Sequence, residues 1–122
     1  MAARSFIYTD SVSVSGNASG TIVIAQGATE KGEIRSIIFD STGAFQIEEI
    51  RDSSGTPYTN ASSADPIPST LLKASTNMTT GKIDLPVPIA LSPNLILYIT
   101  VKDTSGSSNT IRFIGYGTKE PA

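Results

Sequence analysis

The chain has 122 residues with no Cys, no His and no Trp, and its 9 Lys plus Arg against 11 Asp plus Glu give a net charge of -2. This composition excludes disulfide frameworks and thiolate metal sites and removes the side chain most used as a general base near neutrality. It also offers no positive field to gather phosphates, so nucleic acid is not an expected partner.

Charged residues make up 16% of the chain, below the roughly 25% usual for soluble domains, and Ser and Thr, roughly a quarter of all residues, must supply much of the polar surface. Such a weakly charged, hydroxyl-rich surface suits a protein packed against neighbours. One domain is expected over residues 1–122, large enough to bury a core without cross-links. Met1-Ala2-Ala3-Arg4-Ser5 lacks the apolar core of a signal peptide, and no apolar run reaches the length of a membrane span. The expectation is therefore synthesis in a cytoplasm and no membrane partner.

In chain order, Phe6, Tyr8, Asp10, Val12 and Val14 alternate with Ser5, Thr9, Ser11, Ser13 and Ser15, and Ile7 is the exception. This predicts one extended segment, or two broken at Asp10, with residues 1–10 able to serve as an N-terminal arm. Gly16-Asn17-Ala18-Ser19-Gly20 reads as a turn, Thr21 to Ala25 as a short apolar strand, and Gln26 to Gly32 as another turn. Glu33 to Asp40 and Ala44 to Asp52 carry apolar residues on both parities. A strand like that is buried on both faces or contains a bulge, and a bulge is expected near Glu48-Glu49-Ile50.

Asp40-Ser41-Thr42-Gly43, Asp52-Ser53-Ser54-Gly55 and Asp103-Thr104-Ser105-Gly106 repeat one device. The first-position Asp can accept hydrogen bonds from the turn amides, and the fourth-position Gly tolerates positive φ. Calcium binding is the alternative use of these carboxylates, but each turn has one acid where such a site needs several oxygens.

Residues 56–81 form the longest stretch without alternation and read as a long loop. Within it Pro68 to Ala74 could make a single helical turn, with Leu71 and Leu72 plugging the open end of the sandwich. Ser69 and Lys73 stand at helical spacing, which serine–lysine catalysis would need, but no oxyanion hole accompanies them and a capped surface turn is the better reading. Lys82 to Leu91 restores alternation, with Ile83, Leu85, Val87, Ile89 and Leu91 on one face. Pro86 and Pro88 cannot donate to a ladder, so this strand belongs at an edge or pairs only in part.

The strongest pattern lies at Leu95 to Gly117. Leu95, Leu97, Ile99 and Val101 alternate with Ile96, Tyr98, Thr100 and Lys102, and Ile111 and Phe113 repeat the pattern beyond the Asp103 turn. An antiparallel hairpin is expected there, with Leu95, Leu97, Ile99, Val101, Ile111 and Phe113 in the core. About eight strands result, and the fold class is all-β, an antiparallel two-sheet sandwich of jelly-roll type.

No catalytic, cofactor or metal residues are assigned. Glu48 and Glu49 are adjacent and should face opposite ways, unlike a glycosidase pair. Tyr58, Tyr98 and Tyr116 could form a sugar-stacking platform, although packing roles fit each better. Asn17, Asn60 and Asn77 begin glycosylation-type triplets that read as loops.

Pro88-Ile89-Ala90-Leu91-Ser92-Pro93-Asn94, the following Leu95 to Val101, and Ser107 to Gly117 together resemble small jelly-roll decoration, or cement, proteins of tailed bacteriophage heads. The resemblance covers about the last third of the chain and is one of sequence style. It implies a non-enzymatic virion protein on the capsid surface, made in the host cytoplasm and binding the major capsid protein, with a trimer or dimer as its own assembly. Phe6, Tyr8, Tyr58, Ile67 and Tyr116 are the candidate subunit contacts. The competing reading is a carbohydrate- or receptor-binding sandwich module of a phage tail or a secreted protein.

Overall fold

The computed structural model describes residues 3–69 and 82–122. Eight strands run β1 (Arg4–Val14), β2 (Ser19–Ala25), β3 (Glu30–Ser41), β4 (Phe45–Asp52), β5 (Ile67–Pro68), β6 (Ile83–Leu91), β7 (Ile96–Asp103) and β8 (Asn109–Pro121). They form two four-stranded antiparallel sheets, sheet A in the order β1-β8-β3-β6 and sheet B in the order β2-β7-β4-β5. The chain changes sheet at every connection except β4 to β5, which is the winding of an eight-strand jelly roll.

The Leu95 to Gly117 stretch departs from the expected hairpin. β7 lies in sheet B and β8 in sheet A, so the two strands share a core and not a ladder. Alternation says that each strand has one apolar face. It is equally satisfied when residues 104–108 carry the chain across the sandwich and those faces oppose one another. All six expected core residues are buried, Leu97, Ile99, Val101 and Ile111 completely. Phe39 links the sheets, with its ring centroid 5.5 Å from that of Phe113 and 5.6 Å from that of Phe45.

The apolar residues on both parities of β3 and β4 have a common cause. The β4–β7 register shifts between Ile47 and Glu49, where the bulge was expected, and buries both Ile47 and Ile50. A second shift, between Ile34 and Ser36, leaves Arg35 outside the ladder and turns both Ile34 and Ile37 inward.

β6 is an edge strand that pairs only in part, as its prolines require. It meets β3 at Gly32–Leu91, Glu33–Ala90 and Ile34–Ile89, then resumes at Ser36–Asp84. The skipped residues 85–88 include Val87, which is 78% exposed and not on the apolar face the alternation assigned to it. At the other edge, residues 4–14 pair continuously with β8 from Arg4–Lys119 to Val14–Asn109. Residues 4–10 therefore belong to the sheet rather than to a free arm, and β1 does not break at Asp10. The helical turn expected at Pro68 to Ala74 lies outside the described residues beyond Ser69. Within them, Ile67 and Pro68 pair with Ile47 and Gln46.

Candidate functional site

The outer face of sheet A is built by the odd residues of β1 and the even residues of β8, because their neighbours Tyr8, Ile111 and Phe113 fill the core. Ile7 stands opposite Tyr116, and Thr9 opposite Ile114, which in turn faces Ile38 of β3. Ile7 is 55% and Tyr116 38% exposed, and Ile38 and Ile114 are half-buried between buried neighbours. Hydroxyls of Ser5, Ser11, Ser13, Thr110 and Thr118 surround this apolar centre. An ion pair stands at each end, Arg112–Asp40 at 3.7 Å and Arg35–Glu33. An apolar centre with a polar rim is the anatomy of a protein-binding patch.

A second apolar feature is a groove of about 420 Å3 between β6 on one side and β4 and β5 on the other. Ile47, Ile50, Tyr58, Ile67, Leu85 and Val87 are among its walls. Thr59 Oγ1 is buried on the same lining and has no hydrogen-bond partner among the described residues.

The five candidate contacts fall in three places. Tyr116 is on the face of sheet A. Tyr58 and Ile67 line the groove, where the Tyr58 hydroxyl donates to Asp52 Oδ2 at 2.8 Å. Phe6 and Tyr8 meet edge to face at the end of β1, with Lys119 Nζ 4.2 Å from the Phe6 centroid. Tyr8 is only 4% exposed, donates to Thr118 O and accepts from Gln26 Nε2, so its role is internal. Ile7, Ile38 and Ile114 complete the patch and were not among the candidates. The one sequence signal for them was Ile7, the apolar residue on the hydroxyl-bearing parity of β1.

The tyrosines do not form a platform. Tyr98 is on sheet B beneath the Arg51 guanidinium, 4.9 Å from its ring centroid, whereas Tyr116 is on sheet A.

Two of the three Asp turns follow the expected chemistry, with Gly55 at φ 88° and Gly106 at φ 81°. Asp52 accepts from the Ser54 and Thr56 amides and from Tyr58. Asp103 is fully buried and accepts from the Asn17, Ser105 and Gly106 amides, Ser105 Oγ and Asn109 Nδ2. Burial alone would raise the Asp103 pKa, but these donors outweigh it and hold the carboxyl well below the usual range. Oxygens ringed by N–H and O–H donors offer a cation nothing to share, which favours turn chemistry over calcium.

The Asp40 turn differs. Gly43 is not at positive φ, Asp40 pairs with Arg112, and Asn109 joins the Gly43 amide and the Gly43 and Ala44 carbonyls. Ser69 Oγ accepts from the Phe45 amide at 3.0 Å, while Lys73 lies outside the described residues. Glu48 accepts from Ser19 and Glu49 pairs with Arg51, so neither acid is set opposite the other. Among the described residues no three Asp or Glu side chains converge as metal ligands would.

No protein-family model, curated protein or solved structure matches this chain.

Proposed function

We propose that this protein is a structural component of a bacteriophage head, decorating the capsid and stabilising it by bridging neighbouring subunits of the major capsid protein. The observation that carries this reading is that apolar residues stand exposed in more than one place on one charge-poor sandwich, Ile7 and Tyr116 on sheet A, Val23 on β2 of sheet B and Val87 at the groove beside β6. A domain with two such places can touch two neighbours at once. Engaging the first raises the effective concentration of the second, so each contact can be modest. The resemblance of the last third of the sequence to cement proteins adds to this reading.

The test is to add the purified protein to phage particles depleted of it. Stoichiometric binding and restored resistance to heat and osmotic shock are expected. Unchanged robustness together with lost attachment to cells would replace this reading with the receptor-binding one, and binding to a glycan array would do the same in favour of a carbohydrate module.

A further inference from the structure

We infer that the outer face of sheet A binds a second copy of this chain across a two-fold axis that runs perpendicular to the strands through the row Thr9, Ile114 and Ile38. The argument rests on the chain alone; with this face covered by a second copy, a dimer would meet a shell through its two β6 grooves, one on each copy, rather than through two places on one copy.

The edges of the sandwich are poor places for self-association. β6 is interrupted by Pro86 and Pro88, β5 is two residues long, and the Asp10 carboxylate, standing at the β1 edge, accepts from the Val23 amide of β2. Prolines, short strands and edge charges are the devices that block strand addition. The face of sheet A carries none of them at its centre.

The two-fold geometry makes this face complementary to itself. One step along the strands from the central row lie Arg112 and Asp40; one step the other way lie Tyr116 and Ser36, with Arg35 beside it in the bulge. The axis exchanges these two rows. Arg112 of each copy then lies over Tyr116 of the other, a cation–π arrangement, and Asp40 of each faces Arg35 of the other. An axis along β8 would instead set Arg112 over Arg112 and leave Asp40 facing Ser11.

The size suits a weak, reversible dimer. Nine residues from Ser5 to Ser13, at about 3.3 Å each, and the three strands β1, β8 and β3, which alone cross the central row, at about 4.8 Å spacing make a face of about 430 Å2. Two copies would bury about 860 Å2, under the roughly 1,000 Å2 of a stable specific contact and in the range of a weak, transient one. The expected association is concentration-dependent, with its midpoint in the high micromolar to millimolar range.

Sedimentation of the purified chain across micromolar to millimolar concentration tests this directly. A monomer–dimer equilibrium is expected, weakened at least tenfold by Ile7→Glu with an unchanged melting temperature, since Ile7 is more than half exposed. Because the chain has no cysteine, Thr9→Cys and Ser13→Cys locate the axis. Facing sheets stand about 10 Å apart, so a short bis-maleimide should join two copies of Thr9→Cys, whereas Ser13→Cys, about 28 Å from its mate, should stay unlinked. A monomer at every concentration, equal cross-linking of the two cysteine variants, or full association of Ile7→Glu would each overturn the inference.

Discussion

Asn109, the first residue of β8, donates from Nδ2 to Oδ1 of Asp103, the last residue of β7, at 2.9 Å. The two residues end strands of different sheets, so this bond closes the crossing between them. Through the same two side chains the crossing is tied to the 15–18 turn by the Asn17 amide and to the β3–β4 connection by Gly43 and Ala44.

Asp103→Asn should therefore destabilise the protein by about 1–3 kcal/mol, because a buried acceptor of several donors is replaced by a group that is itself half donor. Denaturant unfolding measures this, and a loss within experimental error would show that the crossing does not depend on the carboxylate.

The same carboxyl predicts acid sensitivity. Its folded pKa is depressed, so the unfolded chain binds the proton more readily and stability falls with pH once the unfolded carboxyl, near 4, begins to titrate. The melting temperature should hold down to about pH 5 and drop below pH 4, more steeply in the native protein than in Asp103→Asn.

At alkaline pH the sensitive group is Tyr58. Burial, and then its bond to the Asp52 carboxylate, push the phenol up to about 12. The unfolded phenol ionises near 10, so the stabilising contribution is present below that pH and is lost as pH rises toward 12. Tyr58→Phe should be less stable than the native protein at pH 7 and should lose less between pH 10 and 12. A parallel decline of the two curves would remove Tyr58 as the cause.

Leu97→Ala should cost about 2–5 kcal/mol, as expected for a fully buried leucine between two sheets. Tyr116→Ser, at a partly exposed position, should cost much less. Equal costs would contradict the assignment of their faces.

Gly117→Ala is expected to be among the most damaging single changes. A Cβ there would collide with the Glu33 carbonyl of the neighbouring strand, backbone against backbone, with no flexible side chain to yield. Failure to fold, or a melting temperature many degrees lower, is the expected outcome. Native-like melting would mean that β3 and β8 can separate at the bulge.

Much of this fold is legible in the residue order because alternation reports faces directly. Leu95 to Val101 show which side is buried, Pro86 and Pro88 show which strand cannot be central, and the doubled parity around Glu48 shows the bulge. What alternation cannot show is which strand lies beside which. β7 and β8 would display the same pattern as a hairpin or as opposing walls, and only the sheet-switching of residues 104–108 distinguishes the two. The patch on sheet A was legible only through Ile7, since Ile38 and Ile114 join it across strands far apart in sequence. Tyr8 looked available for contact because its alternation marks a face but not the depth at which Thr118 and Gln26 hold it.

β8 separates β1 from β3 in sheet A, and its pairing reaches as far as that between Arg4 and Lys119, 115 positions apart. Until β8 inserts, β1 and β3 have no ladder to share, and the largest entropic cost of closing the chain must be met before the pairing that offsets it exists. Refolding should accordingly fall among the slower small domains, on a scale of milliseconds to seconds. During that interval the unpaired flanks of β1 and β3 are the surfaces most open to wrong neighbours, so a high local concentration of newly made chains is the condition under which the nascent form is most exposed to aggregation.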